Sequence, residues 1–297
     1  MRKLFEGTAV AIVTPFKDNR VDFEALERLI EKDVAEGAKA IVVLGTTGES
    51  ATVYTHEREK IIRFARKVIG GRCKLIVGTG CNDFAKAYKN TLMAKVLGAD
   101  GALVVTPYYN KTTQAGLIHI YTKLCEIGLP IIMYNVPSRT GMTIELDTVK
   151  RLIKNPMIVG LKESTCDVQR IINLAKVCRK KIALYSGEDG LNYLFYALGA
   201  QGCISVTANA FCAQVQKVYD LMKLKLPKDA MFVQEHLSTI NKLLFCEVNP
   251  IPIKYLLSQM GLCENQLRLP LIPLAEKYKK LIDRELEKMT QETKHLI

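Results

Sequence analysis

The sequence predicts an α/β fold, a (β/α)8 TIM barrel with a C-terminal helical appendage. Short apolar runs recur every ~20 to 35 residues, which is the spacing of βα units. Helical patterns lie between these runs, and such alternation favours a parallel sheet. Eight runs within about 210 residues match the number and length expected of a barrel.

The eight apolar runs are the predicted strands. In chain order they are residues 8–14, 40–44, 74–79, 102–106, 130–134, 158–162, 182–186 and 203–207. A doubly wound sheet is the alternative arrangement. No strand-turn-helix unit carries a glycine-rich dinucleotide fingerprint, however, because Gly78-Thr79-Gly80 lacks the third glycine of that motif.

The predicted helices have start and stop signals. After Asp22, a candidate N-cap, apolar residues repeat at three-to-four spacing from Leu26 to Val34. Three helices are predicted to end just before a strand at a glycine suited to the left-handed conformation: Gly37, Gly98 and Gly199.

Beyond residue 207 the pattern is helical, with amphipathic candidates at residues 221–226, 232–245 and 271–289. We therefore expect a catalytic barrel domain over residues 1–225 and a C-terminal helical domain over residues 226–297. The second domain either packs on the barrel or forms an oligomerisation surface.

Composition narrows the class of protein. The chain has 297 residues, 48% of them hydrophobic, and no run of 18 apolar residues. We expect a cytoplasmic protein with no targeting segment and no membrane partner. The nine cysteines are an odd number, and none are paired at two-residue spacing. They are interpreted as small buried hydrophobic residues in a reducing compartment.

The net charge of +12 suggests either a nucleic-acid partner or anionic substrates. Many of the basic residues lie in mixed-charge helical stretches such as residues 277–288, which is typical of a solvated helix face. The chain has no tryptophan and no basic stretch interleaved with several aromatic residues. We therefore expect no nucleic-acid partner, and the charge helps to steer carboxylate substrates.

Lys162 ends the apolar run 157–161 and is a candidate Schiff-base nucleophile. In a barrel, active sites lie at the C-terminal ends of the strands, so the residue after each run is a catalytic candidate. The competing interpretation is a lysine that extends its ammonium group into water, as most lysines at strand ends do.

Strand two is followed by Gly45-Thr46-Thr47-Gly48-Glu49-Ser50. Its glycines allow backbone N–H groups to turn inward beside two hydroxyls, an arrangement suited to a carboxylate. The motif has no lysine of a phosphate-binding loop. An ordinary βα turn with a Thr or Ser helix cap explains this segment equally well.

Strand five ends at Tyr134, and Arg139 follows. A phenol can transfer protons, and a guanidinium can bind a carboxylate through two hydrogen bonds. Taken singly, each is more often a strand-end aromatic or a surface charge. Together with Lys162 and the paired threonines they form the parts of a Schiff-base aldolase for carboxylate substrates.

The sequence lacks the motifs of metal-dependent enzymes and of serine hydrolases. The four histidines have no ligand spacing with one another or with the cysteines, which argues against a metal-dependent aldolase or a zinc hydrolase. No Gly-x-Ser-x-Gly elbow of a serine hydrolase occurs.

The chain closely resembles the dihydrodipicolinate synthase (4-hydroxy-tetrahydrodipicolinate synthase) family of the N-acetylneuraminate lyase superfamily. The matching segments are residues 11–16, 45–50, 78–82, 105–110, 134–141, 160–163, 204–209 and 249–254. The paired threonines, the tyrosine and the lysine mark the superfamily. Arg139 within Tyr-Asn-Val-Pro-Ser-Arg-Thr-Gly distinguishes the synthases, because members that cleave sugar acids generally lack it.

The resemblance implies a class I aldol condensation of pyruvate with L-aspartate 4-semialdehyde. The product would be 4-hydroxy-tetrahydrodipicolinate, in lysine and diaminopimelate biosynthesis. No cofactor is implied beyond the covalent imine on Lys162. Members are often homotetramers built as a dimer of dimers.

The resemblance also implies a role for each site residue. Lys162 forms the imine, and Tyr134, Thr46 and Tyr109 relay protons, with Tyr109 supplied across a dimer interface. The substrate-binding positions are Thr47 for the pyruvate carboxylate, Arg139 for the aldehyde's carboxylate, Ile204 through its backbone carbonyl and Gly187 in the site wall.

Regulation is expected to differ from that of lysine-inhibited members. Those members use an acidic residue where this chain has Lys86, and commonly a histidine where it has Thr55. Ser50, Ala51 and their neighbours Asn82 and Tyr108 still match that pocket. Because Lys86 would repel the effector's ammonium groups, we expect weak or absent feedback inhibition by L-lysine.

Two other functions stay open at this point. One is another pyruvate-dependent aldolase of the superfamily, acting on sialic acid or a keto-deoxy-sugar acid. The other is a barrel without catalytic activity that binds anions or nucleic acid through its positive charge.

Overall fold

The computed structural model describes the backbone of residues 1–296 and the side chains of residues 1–291. Eight parallel strands follow one another around a closed barrel. They are β1 (Gly7–Ala11), β2 (Ala40–Val43), β3 (Lys74–Gly78), β4 (Gly101–Val105), β5 (Ile131–Asn135), β6 (Ile158–Glu163), β7 (Ala183–Ser186) and β8 (Gly202–Ser205). The predicted (β/α)8 barrel is confirmed, and every predicted strand is present.

Thirteen α-helices accompany these strands in the described part of the chain. Those of the barrel are α1 (Phe23–Ala35), α2 (Thr55–Ile69), α3 (Phe84–Val96), α4 (Gln114–Cys125), α5 (Pro137–Thr140), α6 (Leu146–Leu152), α7 (Val168–Cys178), α8 (Asn192–Ala197) and α9 (Ala208–Lys223). They are followed by α10 (Pro227–His236), α11 (Ser238–Leu243), α12 (Ile251–Gln259) and α13 (Glu276–Leu296).

The strands carry apolar residues on both faces, because the helices cover one face and the barrel interior encloses the other. All residues of β1, β2, β5 and β6 are buried. One face packs against the helices in the main core, and the other fills the barrel interior with a separate cluster that includes Ala9, Ala40 and Ile132. A parallel sheet wrapped by helices requires this double burial, which the continuous apolar runs predict.

The predicted helix signals are confirmed. The carboxylate of Asp22 accepts a hydrogen bond from the N–H of Ala25 at 3.0 Å and caps α1. Gly37, Gly98 and Gly199 have φ angles of 93°, 79° and 90°. Each of them lies just after a helix, in a conformation that a side chain would disfavour.

The C-terminal helices differ from prediction in their bounds. Of the segment 221–226, only residues 221–223 are helical, as the end of α9; Lys225 beyond it takes a φ of 61°, and Pro227 then begins α10. The segment 232–245 is divided between α10 and α11. Helix α13 begins at Glu276 rather than at residue 271, because Pro273 interrupts a helix that would start earlier.

The C-terminal elements pack on the barrel and on one another. Helix α9 contacts β1 and α10, while α13 contacts α11 and α12. A domain boundary between residues 225 and 226 stays a prediction. None of the helices within residues 1–296 is long and apolar enough to cross a membrane.

The nine cysteines carry free thiols. Five are buried, as predicted: Cys125, Cys178, Cys203, Cys212 and Cys263. Cys166 is exposed, so the prediction of buried cysteines is wrong for that residue.

Candidate active site

A cavity of about 330 Å³ opens at the C-terminal ends of the barrel strands. Six of the eight predicted site residues line it: Thr46, Thr47, Tyr134, Arg139, Lys162 and Gly187. Residues from the C-terminal region complete its wall, namely Phe245, Glu247, Val248 and Asn249. The cavity therefore lies where a barrel enzyme binds its substrate.

Lys162 reaches this cavity because of strand register. It pairs with Tyr134 across β5 and β6, so the two side chains emerge on the same face of the sheet. Lys162 is only 5% exposed, and its Nζ lies 4.4 Å from the centre of the Tyr134 ring. No carboxylate of residues 1–291 lies within 4.0 Å of this amine. Lys162 thus presents a buried amine, with an aromatic neighbour, to an open cavity.

Glu163, the next residue, points to the opposite face of β6. Its carboxylate accepts hydrogen bonds from the Asn135 amide at 2.7 and 3.0 Å and lies 2.9 Å from the Arg170 guanidinium. Burial raises the pKa of Glu163, and the positive charge of Arg170 opposes that shift. Successive strand residues alternate in direction, so a reactive amine and a fully hydrogen-bonded acid are adjacent in sequence.

Gly187 leaves room for the lysine side chain. A Cβ at this position would lie 2.7 Å from Cε of Lys162 and 2.1 Å from Oγ of Ser164. The N–H of Gly187 donates to the carbonyl of Glu163 at 2.8 Å, which holds the wall close to β6. A side chain at position 187 would therefore displace Lys162, Ser164 or the wall itself.

The loop after β2 presents the two threonines. The N–H of Glu49 donates to the carbonyl of Thr46 at 3.0 Å, which closes a tight turn. Thr14 donates its hydroxyl to the carbonyl of Gly48 at 2.7 Å. On the cavity side, the amide of Asn249 donates to Oγ1 of Thr47 at 3.0 Å. This contact fixes the hydroxyl of Thr47 at the cavity wall.

A buried ion pair ties the same loop to the C-terminal region. Glu49 takes a left-handed backbone with φ of 50°, and its carboxylate lies 2.5 Å from Nζ of Lys254. The same carboxylate accepts the N–H of Arg268 at 3.1 Å. Nζ of Lys254 also donates to the carbonyl of Gln266 at 2.8 Å. Burial lowers the pKa of Lys254, and the charge of Glu49 opposes the shift.

Arg139 lies on the short helix α5, directly after β5. One guanidinium nitrogen donates to the carbonyl of Asn249 at 2.9 Å. Arg139 lines both the main cavity and a second one of about 290 Å³ beside it. Its remaining donors are available to an anion at the entrance.

Two predicted site residues lie outside the main cavity. Ile204 is buried within β8, where it pairs with Ala9, and it does not line the cavity. Tyr109 is 92% exposed and has a φ of 69°, so its ring projects from the barrel into solvent. The roles predicted for both residues stay predictions.

The second cavity brings together part of the effector pocket expected from sequence. Ser50, Ala51 and Tyr108 line it. Thr55 and Lys86 are exposed and do not line it. The basic side chain of Lys86 therefore lies at the protein surface, outside the second cavity.

Sequence reasoning gave no role to Asn249 or Glu188, which both line the main cavity. Asn249 lies within the predicted C-terminal helical domain, 202 residues from its partner Thr47. Its place in the matching segment 249–254 was the available signal. Glu188 follows strand seven, and its acidic side chain resembles a surface charge in sequence.

Fold and site together define a (β/α)8 barrel enzyme with a lysine, a tyrosine and an arginine at the C-terminal mouth. The model of the dihydrodipicolinate synthetase family matches residues 4–289. The chain belongs to this family.

Individual relatives agree with that assignment. A 4-hydroxy-tetrahydrodipicolinate synthase of Aquifex aeolicus is 45% identical over 277 residues, covering 92% of this chain and 93% of the relative. One of Alkaliphilus oremlandii is 42% identical, covering 96% and 99% respectively. The crystal structure of the chloride-inhibited dihydrodipicolinate synthase of Acinetobacter baumannii, complexed with pyruvate, superposes with a TM-score of 0.93. It is 43% identical and covers 95% of this chain and 98% of that chain.

Proposed function

We propose that Lys162 carries out a class I aldol condensation of pyruvate with L-aspartate 4-semialdehyde, which gives 4-hydroxy-tetrahydrodipicolinate. This overall reaction, a step of lysine and diaminopimelate biosynthesis, follows from membership of the family. The chain is an enzyme of the lyase class. The observation that carries the residue assignment is the buried amine of Lys162, which opens into a cavity beside Tyr134.

The first half of the reaction activates pyruvate. The amine of Lys162 attacks the keto carbon and, with loss of water, forms an imine. The positive charge of the imine acidifies the pyruvate methyl group, and loss of a proton gives an enamine. The hydroxyl of Thr47 is suited to hold the pyruvate carboxylate, because Asn249 orients it at the cavity wall.

In the second half, the enamine carbon attacks the aldehyde of the second substrate. Arg139 binds the carboxylate of that substrate at the entrance. Tyr134 and Thr46, which line the same cavity, transfer protons together with Tyr109. Ile204 contributes its backbone carbonyl near the nucleophile. The enzyme needs no cofactor, because the imine itself withdraws electrons.

Tyr109 acts from a neighbouring subunit. Its exposed ring lies outside the cavity of its own chain, which supports a role in the site of a partner. We therefore propose a homo-oligomer, a tetramer built as a dimer of dimers, located in the cytoplasm. Neither nucleic acid nor a membrane is among its partners.

A coupled assay with both substrates tests this assignment. Wild type turns over, Lys162→Ala does not, and Tyr109→Phe loses most of its turnover because the relay lacks a proton donor. Unchanged turnover of Tyr109→Phe would show that the cross-subunit relay is wrong.

The same assay separates the remaining alternatives. For a sugar-acid lyase, Arg139→Ala would leave activity on the true substrate largely intact, whereas our proposal requires a strong loss with aspartate semialdehyde. A barrel without catalytic activity would form no adduct with pyruvate in the presence of borohydride.

A further inference from the structure

L-Aspartate 4-semialdehyde carries three polar groups: a carboxylate, an aldehyde and an α-ammonium. The assignments above supply partners for the first two groups. An ammonium that leaves water needs a carboxylate or carbonyl partner. Among the described side chains, two carboxylates line the main cavity, those of Glu188 and Glu247.

Glu188 stands beside the nucleophile. It follows Gly187, whose Cα is so close to Lys162 that a Cβ there would lie 2.7 Å from Cε of the lysine. The charge of Lys162 also acts on the carboxyl of Glu188. Glu247 belongs to the C-terminal segment at the cavity rim. Of the two, Glu188 is the carboxylate on which the charge of Lys162 acts and which adjoins the wall that contacts the lysine.

The carboxylate of the neighbouring acid, Asp189, is occupied by hydrogen bonds within the protein. Its carboxylate accepts the N–H groups of Val206 and Thr207 at 2.9 and 3.0 Å and the amide of Asn192 at 3.3 Å. Glu188, in contrast, has no lysine or arginine within 4.0 Å among residues 1–291, although it interacts with the N–H of Gly190. Its carboxylate retains acceptor capacity toward the cavity.

The surroundings of Glu188 favour proton uptake. Burial raises the pKa of its carboxyl, and the negative charge of Asp189 raises it further. The N–H of Gly190 and the charge of Lys162 oppose these shifts. A carboxylate with a raised pKa is a better general base near neutral pH than one exposed to water.

We propose that Glu188 binds the α-ammonium of aspartate semialdehyde and accepts its proton during ring closure. This inference rests on the proposed function of Lys162. It assigns a catalytic residue to the step in which the product leaves the lysine.

Ring closure exchanges one C–N bond for another. After aldol addition, the substrate ammonium passes one proton to the carboxylate of Glu188, and the neutral nitrogen attacks the imine carbon. A new C–N bond forms at that carbon, and the bond to Nζ of Lys162 then breaks. Before that bond breaks, Glu188 returns its proton to Nζ of Lys162 and accepts a second proton from the ring nitrogen, whose freed lone pair then expels the lysine as a neutral amine. No oxidant, reductant or further reactant is required.

Glu188→Gln tests the proposal because it removes the charge and retains the size. We expect kcat/KM for aspartate semialdehyde to fall about ten- to a hundredfold, the value of one hydrogen bond between charged groups. Inhibition by 4-oxobutanoate, the same aldehyde without an amino group, should stay as in wild type. Glu188→Asp, which keeps the carboxylate, should lose less activity than Glu188→Gln.

Two other variants serve as controls for Glu188→Gln. Glu247→Gln removes the competing cavity carboxylate, and Glu235→Gln removes an exposed charge on α10. A loss confined to Glu188→Gln supports the proposal. It is overturned if Glu247→Gln gives the larger loss, if Glu188→Gln matches wild type, or if 4-oxobutanoate weakens to the same extent.

Borohydride trapping with pyruvate alone separates a failure of the role proposed for Lys162 from a failure of the role proposed for Glu188. Wild type and Glu188→Gln should form the Lys162 adduct equally, because no ammonium substrate is present. If wild type forms no adduct, the proposed function fails. If only Glu188→Gln fails to trap, the residue acts in imine formation and the inference about the ammonium is wrong.

Discussion

Two buried lysines in this barrel have similar immediate surroundings and different partners. Lys162 lies 4.4 Å from the centre of the Tyr134 ring, and Lys254 lies 4.1 Å from the centre of the Phe16 ring. Lys254 is 0% exposed, and its Nζ lies 2.5 Å from the carboxylate of Glu49. Lys162 has no such partner in the described part of the chain and faces the cavity.

Burial and an aromatic neighbour therefore do not by themselves identify a nucleophile. An amine held by a carboxylate and a backbone carbonyl has its hydrogens committed and no space for a substrate. An amine that opens into a cavity with a proton donor and an arginine can attack a carbonyl carbon. The region around Lys254 supports the fold, and the region around Lys162 supports chemistry.

The largest expected effect is on activity. Lys162→Met should lower kcat/KM at least about a thousandfold, because Lys162 is the one lysine among the described residues that line the main cavity. Its free energy of unfolding should stay close to that of wild type or rise, since the variant no longer buries an amine that lacks a carboxylate partner. Steady-state kinetics and urea unfolding measure the two quantities. Residual turnover within tenfold of wild type would contradict the assignment.

The same substitution at the other lysine should act mainly on stability. Lys254→Met leaves Glu49 buried without its partner, and we expect a loss of about 3–5 kcal/mol in the free energy of unfolding. The double variant with Glu49→Gln should recover part of that loss, because it removes the unpaired charge. Chemical denaturation at equal protein concentration tests both. A Lys254→Met protein as stable as wild type would show that the ion pair contributes nothing.

Gly187→Ala tests how closely the wall confines Lys162. The added methyl group would lie 2.1 Å from Oγ of Ser164 and 2.7 Å from Cε of Lys162, and we expect the lysine to move together with the serine. A displacement of about 1 Å costs on the order of a hundredfold in rate. The measurement is the rate of borohydride-trapped adduct formation with pyruvate. A rate equal to that of wild type would mean that the wall yields instead of the lysine.

Asn249→Ala should have a smaller effect at the same site. It removes the hydrogen bond to Oγ1 of Thr47 but keeps the backbone carbonyl that Arg139 contacts. The loss of one hydrogen bond, about 1 kcal/mol, raises KM for pyruvate roughly fivefold. KM for aspartate semialdehyde should change less. Equal increases in both KM values would indicate a general loosening of the loop.

The smallest expected effect concerns a third lysine, the exposed Lys86. Its positive charge should repel free L-lysine, so millimolar L-lysine should leave most of the activity intact. Lys86→Glu should increase inhibition, because the carboxylate attracts an ammonium group. Initial rates with and without L-lysine, at constant ionic strength, provide the test. Strong partial inhibition of wild type would refute this prediction.

Local patterns predicted much of this architecture. Each strand is an apolar run, and the N-cap and the helix-ending glycines are local signals, so their positions follow from the sequence. The rule that active sites lie at the C-terminal ends of barrel strands likewise predicts that Lys162, Tyr134 and Arg139 lie together at the mouth.

Other features depend on contacts between distant parts of the chain. Asn249 meets Thr47 across 202 residues, and no local pattern encodes that distance. The ion pair of Lys254 with Glu49 likewise requires the C-terminal region to fold back over the barrel. In sequence, Glu188 and Asp189 are two consecutive acids, and only their hydrogen bonds separate a cavity residue from a structural one.

The comparison of the two buried lysines is tested most directly by mapping the pyruvate adduct. Wild-type protein would be treated with pyruvate and borohydride, digested, and analysed by peptide mass spectrometry. We predict one reduced pyruvyl adduct, on Lys162, and unmodified Lys254. An adduct on Lys254 or on any other lysine, with Lys162 unmodified, would contradict the assignment of Lys162 as the nucleophile.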